Sequence, residues 1–391
     1  MKIKVLQVVG TMNRGGAEVM LIDLFRQISS DFHFDFLVNY KISSGIPKGD
    51  FDKEISLTDS EIHYIPAQWD LGVKKYIIAF QKLISEIGVP DIVHIHMNSK
   101  CGVIAKAAKQ AGVKNVIAHS HADLKFRGSL KSRIASNLEL QFQKRLIAKY
   151  ADNFWGCSLE ANRSLFYKRL LSPSKSAVIN NAIDVDAYVS ISTIEIETMR
   201  KSWGVSSNTI VFGNVGRIVA HKNIDFLLDV LNAYKTVNSD FIFVIAGRIE
   251  DQTYYDAFTF KAKSYGLTDK IKYIGVRSDV PLIFRSFDVF LGPALKEGFG
   301  MVAVEAQAAG LPSILYTGFP KSVDMELELM TFIQNFEVNN WVEAIKNINF
   351  KRVDLKDVKK KIVSKGFDIQ TNVETIEMMY RKIVNEKSNS F

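Results

Sequence analysis

The 391-residue chain has only two cysteines, Cys101 and Cys157, far apart in sequence. That excludes a disulfide scaffold and a cysteine-based zinc ribbon, and it fits a reducing compartment. No apolar run approaches the ~18 residues of a membrane-spanning helix. The opening MKIKVLQVVG is too short for the apolar region of a signal segment and reads as a strand. There is no low-complexity tract and no repeat of the 20–50-residue kind. The first glycine-rich turn, Asn13-Arg14-Gly15-Gly16-Ala17-Glu18, lacks the spaced glycines of dinucleotide enzymes. What remains is a globular chain, 47% apolar and 24% charged, long enough for two to three domains and expected in the cytoplasm.

What the chain does hold is a lopsided positive charge. The formal net charge is +8, and residues 101–150 alone carry ten basic side chains against Asp123 and Glu139. The rest of the chain is balanced. Such a block either meets an anionic partner or covers a solvated face. Nucleic acid is one such partner, but no aromatic stacking motif or recognition module accompanies the block, so none is expected. An anionic lipid surface is another. Lys125, Arg127, Lys131 and Arg133 precede or flank Ile134, Leu138, Phe142, Leu146 and Tyr150, which step by four. That is the spacing of one helix face, and the ordinary expectation is that this face packs on a sheet.

Short β-branched or apolar runs alternate with helical periodicity along the chain. Strands are expected over 4–9, 33–38, 62–65, 92–96, 115–118, 153–155 and 177–179, with helices around 18–28, 74–87, 101–110 and 131–150. The pattern restarts with strands over 209–215, 241–246, 271–274, 289–291 and 313–315. Helical segments around 339–347, 355–365 and 372–386 close the chain. This alternation implies parallel sheets covered on both faces. Residues 184–193 lack periodicity. The expected division is therefore one Rossmann-like domain over 1–185, a second over 186–371, and a terminal helix over 372–391 that could cross back to the first. The expected fold class is α/β, with two doubly wound domains facing across a deep cleft. In such sheets ligands bind beyond the carboxyl ends of the strands, so functional residues should directly follow strands.

Four segments meet that rule. Glu297-Gly298-Phe299-Gly300-Met301-Val302-Ala303-Val304-Glu305 follows the strand DVFLGPA. Its glycines permit close backbone approach, and a helix starting near Gly300 would point free N–H groups at a phosphate. Were the stretch wholly helical, a rise of ~1.5 Å per residue would set the two carboxylates ~12 Å apart. That exceeds the ~5–9.5 Å of glycosidase pairs, so the pair would rather grip two parts of one long ligand; a capping and a solvated glutamate is the plainer alternative. Gly213-Asn214-Val215-Gly216-Arg217, then Lys222-Asn223, place two cations at a strand–helix turn, where they neutralise a diphosphate or simply face water. Arg277 is a weaker third cation. The Gly15-Gly16 turn is either structural or a phosphate or sugar contact. His119-Ser120-His121-Ala122-Asp123 ends the strand NVIA, where a histidine can polarise a hydroxyl. The His-x-His spacing also suggests metal, but no cysteine or close third ligand supports zinc. His94 and His96 read as core or rim residues, and the pair Asp184 and Asp186 is discounted as a metal site.

Together these segments resemble the family 4 retaining glycosyltransferases of the GT-B fold. The resemblance spans nearly the whole chain in the family's motif order, from RGGAE through HSH, INNAIDVDAY and GNVGRIVAHKN to FLGPALKEGFGMVAVEAQAAGLP. The HSHAD and FPKSVDM segments look most like capsular and exopolysaccharide transferases. The resemblance implies that Glu297 contacts the transferred sugar, that Glu305 holds the ribose, and that Arg217 and Lys222 neutralise the diphosphate with Gly216 and the amides of Gly298, Phe299, Gly300 and Met301. His121 stands near the sugar's outer hydroxyl, with His119 the alternative, and Gly15 and Gly16 line the floor. Asn180-Asn181-Ala182 departs from the family's usual Pro-Asn-Gly, Ala294 from a frequent Ser, and YTGFPKS from a glycine-rich turn.

The activity so implied is retaining transfer of a hexose or N-acetylhexosamine. The expected donor is a UDP sugar and the expected acceptor a polyprenyl-diphosphate-linked glycan, in surface polysaccharide synthesis. No metal or other cofactor is expected. The protein would sit peripherally on the inner face of the cell membrane. The competing reading is a noncatalytic nucleotide-sugar sensor or scaffold.

Overall fold

The computed structural model describes residues 2–122, 124, 129–350 and 353–388. The chain forms two compact units, Met1–Ile183 with Ile369–Phe391, and Asp184–Asp368.

The first unit is a seven-stranded parallel sheet: β1 Ile3–Val9, β2 Phe32–Tyr40, β3 Ile62–Pro66, β4 Ile92–Ile95, β5 Asn115–Ser120, β6 Asn153–Gly156 and β7 Ser176–Val178. Its order is β3-β2-β1-β4-β5-β6-β7, so the winding reverses between β1 and β4. Val5, Leu6, Val8 and Val9 are all buried, as expected for a strand covered on both faces. Parallel register sets Gln7 beside His94 and His119 beside Trp155. The closing helix Ile369–Ser388 packs on the helix Gly16–Gln27. It buries Ile369, Val373, Ile376, Tyr380 and Ile383, whose 3–4 spacing makes one apolar face. The Ile369 N–H donates to the Ile183 carbonyl at 2.9 Å, and Asn372 Nδ2 donates to the Asn180 carbonyl at 2.6 Å. The two chain crossings, at 183/184 and 368/369, are thus bonded side by side in this unit.

The second unit is a six-stranded parallel sheet: β8 Ile210–Val215, β9 Phe241–Ala246, β10 Ile271–Tyr273, β11 Val289–Gly292, β12 Ser313–Tyr316 and β13 Met330–Ile333. The order β10-β9-β8-β11-β12-β13 reverses between β8 and β11. The four residues of β13 carry no clear alternation and were not expected as a strand. Asp184, just past the first crossing, caps the short helix Val185–Val189 by accepting from the Ala187 N–H at 3.2 Å.

One helix differs from its expected packing. Leu130–Tyr150 buries Leu140, Gln143 and Ile147, not the stripe that steps by four from Ile134. Ile134, Leu138 and Phe142 are 52%, 68% and 44% exposed, while Leu146 and Tyr150 are partly buried. The cause is a helix neighbour rather than the sheet. Gly102, on the helix Cys101–Gln110, lets the two helices touch: a Cβ there would stand 2.4 Å from the Gln143 carbonyl oxygen. Gln143 also accepts from the Val103 N–H at 3.0 Å. Lys125 and Arg127 lie outside the described residues. Among the described residues, no helix is long and apolar enough to cross a membrane.

Candidate active site

In the second unit, two loops leave the sheet at its switch point. Beyond β8 the chain runs through Gly216 and Arg217 to Lys222; beyond β11 it runs through Ala294 to Glu297. The loops are bonded to each other, since the Leu295 N–H donates to the His221 carbonyl at 2.9 Å. Lys222 Nζ and Glu297 Oε1 form a direct ion pair. Both side chains are largely screened from water, at 17% and 11% exposed. With Asn214, Pro293, Ala294 and Phe319 they line a small concavity. Arg217 is more open and holds Glu250 through Nη1 at 2.8 and 3.1 Å. Arg277 is taken up by Asp279 at 2.6 and 2.9 Å, a contact that holds the Asp279 carboxyl below its ordinary range.

Glu297 and Glu305 do not share one helix. The helix is Met301–Ala308, so Glu305 is on it while Glu297 lies in the loop before it. The ~12 Å axial separation of a continuous helix therefore does not apply. Gly300 makes the entry with φ +87°, and a Cβ there would meet Phe319 Cδ1 at 2.6 Å. Glycine is required on both counts. The helix opens at Met301, directly after the loop of Gly298, and Phe299 is anchored by stacking on Phe367 at 5.2 Å. Gly216 is the other tight point: a Cβ on neighbouring Gly247 would lie 1.8 Å from its carbonyl oxygen.

In the first unit, the Gly15-Gly16 turn follows β1. Gly15 N–H donates to the Asn13 carbonyl at 2.9 Å, and Arg14 N–H to Asp50 Oδ2 at 3.1 Å. The Glu18 carboxylate lies against Gly15, so that a Cβ would come within 2.4 Å of it. An anion at this turn would have to displace Glu18.

The histidines form a cluster that neither motif showed alone. His94 and His96 on and after β4, and His119 and His121 on and after β5, project from one sheet face at alternate positions. His94 Nε2 lies 3.0 Å from His119 Nδ1, and His96 Nδ1 lies 2.8 Å from His121 Nε2. His96 Nε2 is 2.9 Å from Gln7 Oε1, Gln7 Nε2 is 3.3 Å from Tyr380 Oη, and Tyr380 Oη is 2.6 Å from His94 Nδ1. His121 Nδ1 lies 3.4 Å from Asn181 Oδ1, and its backbone N–H donates to Asn98 Oδ1 at 2.6 Å. Burial, reinforced by the neighbouring rings, holds His94, His96 and His119 well below the usual histidine range, and burial lowers His121 to about 4. All four are neutral near pH 7.

His119 is sealed, whereas His121 is only partly buried; of the two, His121 can meet a ligand. The expectation that the His-x-His pair lacks a close third ligand is corrected here. Ligand atoms of His94, His96 and His119 lie within 4.8 Å of one another, near enough to share one ion, because β4 and β5 are neighbours. As placed, these rings bond to each other, to Gln7 and to Tyr380. Gln7 and Tyr380 escaped the sequence reading. The signal for the cluster was present in HIH and HSH, two i, i+2 pairs on consecutive strands. Nothing along the chain linked Tyr380 to them. Asp186, discounted as a ligand, is ion-paired with Lys359.

Comparison with known proteins agrees with this architecture. Residues 14–187 match the family described as Glycosyltransferase Family 4, and residues 195–350 match Glycosyl transferases group 1. The chain is 29% identical to the putative glycosyltransferase EpsF of Bacillus subtilis (strain 168), over 99% of this chain and 98% of EpsF. It is 27% identical to the capsular polysaccharide biosynthesis glycosyltransferase CapH of Staphylococcus aureus, over 97% and 98% of the two chains. It is also 27% identical, over 80% of each chain, to the UDP-Gal:alpha-D-GlcNAc-diphosphoundecaprenol alpha-1,3-galactosyltransferase of Escherichia coli. Among solved structures, Anabaena HepE in complex with UDP-glucose aligns over 99% of each chain with a TM-score of 0.69 at 18% identity, a likeness of fold.

Proposed function

Because the chain belongs to the family 4 glycosyltransferases and has their two Rossmann-like GT-B domains, we propose that it moves a hexose or N-acetylhexosamine from a UDP sugar to a polyprenyl-diphosphate-linked saccharide in surface polysaccharide synthesis. The activity of the Escherichia coli relative and the UDP-glucose in the Anabaena complex support the donor and acceptor classes. CapH supports the polysaccharide context.

The observation that carries the reading is the Lys222–Glu297 pair at the switch point, beside a helix N-terminus. A donor diphosphate is a better partner for Lys222 than a single carboxylate, since it carries more charge and more acceptor oxygens. Its arrival takes Lys222 from Glu297 and leaves Glu297 free to accept from sugar hydroxyls. Arg217 exchanges Glu250 for phosphate in the same way. The amides of Gly298, Phe299, Gly300 and Met301, with Gly216, complete the anion site, and Glu305 accepts from the ribose hydroxyls. His121 bonds a sugar hydroxyl, and Gly15 and Gly16 border the acceptor side.

In this mechanism the bond from the sugar's anomeric carbon to the diphosphate breaks, and the cations stabilise the charge developing on UDP. The acceptor hydroxyl attacks from the face that UDP leaves, the departing phosphate oxygen takes its proton, and configuration is retained. No metal is needed. Exposed Leu130, Ile134, Leu138 and Phe142, with exposed Lys131 and Arg133, suit peripheral docking on an anionic bilayer at ~1 kcal/mol per cation near the surface.

A panel of UDP and GDP sugars tests the proposal. Hydrolysis or transfer with one UDP sugar, unchanged by EDTA and giving a product of the donor's anomeric configuration, is the expected result. Saturable binding without turnover, with or without a lipid-linked acceptor, would instead identify a sensor.

A further inference from the structure

We propose that Gln7, His96 and Tyr380 are positioning residues that fix the tautomer of His121, so that its Nδ1 meets a substrate oxygen as an N–H donor. The inference deepens the reading of His121 as the sugar-facing histidine and rests on it for its functional half.

The six side chains form one unbranched line: His119, His94, Tyr380, Gln7, His96, His121, ending on Asn181. A neutral imidazole has one N–H and one lone pair. A ring that donates on one side must therefore accept on the other. Tyr380 has one O–H, and the Gln7 amide presents oxygen to one neighbour and nitrogen to the other. One proton choice thus sets every ring as long as the Tyr380 hydroxyl proton is used within the line, since an oxygen that accepted from both neighbours would leave its own buried O–H without a partner. The line has two polarities.

The buried end selects one of them, since the Asn181 amide at the other, 3.4 Å from His121 Nδ1, can turn either its oxygen or its nitrogen inward. At the buried end His119 Nε2 has no partner, and the polarity with His121 protonated on Nε2 would place a proton there. A buried orphan N–H is rarer and costlier than an unused lone pair. In the reverse polarity the His121 Nδ1–H donates to Asn181 Oδ1, and the His119 Nε2 orphan is only a lone pair. His119 then donates to His94, His94 to Tyr380, Tyr380 to Gln7 Oε1, Gln7 Nε2 to His96, and His96 to His121 Nε2. This needs only a half-turn of the Gln7 amide relative to the arrangement given above, which leaves its shape unchanged. Burial keeps the rings neutral, so the one-donor rule holds.

The consequence for chemistry follows from the bond lengths. His121 Nε2 is held by His96 at 2.8 Å, whereas Nδ1 has only the long 3.4 Å contact. Nδ1 is the atom a substrate oxygen can capture, and the line makes it a donor. Tyr380 lies on the helix that returns from the end of the chain, so that helix sets the proton on a ligand-facing ring.

The full chain labelled with ¹⁵N-histidine tests this without substrate, through long-range ¹H–¹⁵N spectra that report which nitrogen is protonated. His121 is expected to carry its proton on Nδ1. Gln7→Glu keeps the shape but offers only acceptors, which forces His96 to donate from Nε2 and moves the His121 proton to Nε2. Tyr380→Phe, which keeps the ring and removes the link, should leave His121 a mixture of tautomers. Turnover should fall ~10–100-fold in Gln7→Glu, the scale of leaving one hydrogen bond to the substrate unmade, and only about twofold in Tyr380→Phe, in proportion to the fraction of the wrong tautomer, with UDP affinity unchanged in both. An Nε2 proton in the parent, or a tautomer unmoved in both variants, overturns the line itself. A pattern that changes on adding EDTA would give the rings to a metal ion and also overturn it. A tautomer switch with unchanged turnover leaves the line standing and overturns the sugar-facing reading of His121.

Discussion

The two units hold their chemistry in opposite ways. At the β8–β11 switch point of the second unit the groups are charged and already paired: Lys222 with Glu297, Arg217 with Glu250, Arg277 with Asp279. At the β1–β4 switch point of the first unit the groups are neutral, buried and fixed by hydrogen bonds. The open Arg217–Glu250 and Arg277–Asp279 pairs are worth little, about 0–1 kcal/mol each. The more screened Lys222–Glu297 pair is one that a diphosphate, with more charge and more acceptor oxygens, can still outcompete. A buried neutral line cannot be opened cheaply, because each broken link orphans a donor or acceptor at about 1–3 kcal/mol. The first arrangement suits a leaving group that gains charge. The second suits the orientation of a hydroxyl without adding charge.

The comparison can be broken at either unit, and the largest effect is expected at the charged one. Lys222→Ala and Arg217→Ala should each slow transfer by at least ~10²-fold, the scale of removing one donor to a developing oxyanion. Glu297→Ala should cripple transfer while calorimetric UDP binding persists. Near-normal turnover in both cation variants would leave the second unit without its assigned role.

The next effect belongs to the neutral unit. A histidine held below its usual range refuses a proton that the unfolded chain accepts below about pH 6.5. The contribution is complete above that pH and is lost as pH falls toward about 4, where folded His121 titrates. Denaturant melts should therefore show stability falling across that window by a few kcal/mol. A flat profile from pH 6.5 to 4.5 would contradict a neutral, buried cluster.

Two smaller effects sharpen the contrast. Glu250→Gln should change the unfolding free energy by no more than ~1 kcal/mol, since its partner Arg217 is exposed. Calorimetry should show UDP binding equal or tighter, because a competing carboxylate is gone. Leu138→Glu should shift stability by only ~0.5 kcal/mol, as for most exposed positions. Flotation with anionic vesicles should nevertheless weaken, and flotation indifferent to this change would remove the lipid-facing role of the helix.

Much of the architecture was legible because parallel sheets write themselves as short apolar runs between amphipathic helices. Residues 101–110 and 241–246 were bounded as observed. The β13 strand was not, since Met330–Ile333 is an edge strand, paired with β12, and lacks both the continuous apolar run of a buried strand and a clear alternation. The stripe from Ile134 was read with the right spacing and the wrong burial. Periodicity identifies a face but not the neighbour that covers it, and here Gly102 drew the helix onto another helix through Gln143. Glu297, Glu305, Arg217 and Lys222 were visible as residues placed after strands. That Lys222 and Glu297 hold each other was not, because they are 75 positions apart.

The scarcity of cysteine and of long apolar runs, the alternating pattern and the order of motifs together determined the fold class and the family, since each is a property of neighbours along the chain. The tertiary structure alone decided which charges are paired, which apolar stripe faces water, and that four histidines form one line through Gln7 and Tyr380. Those outcomes depend on sheet register and on a terminal helix that packs 373 positions from its partner. Contacts at such separations are set by the closing of the whole core, which leaves no local mark in sequence.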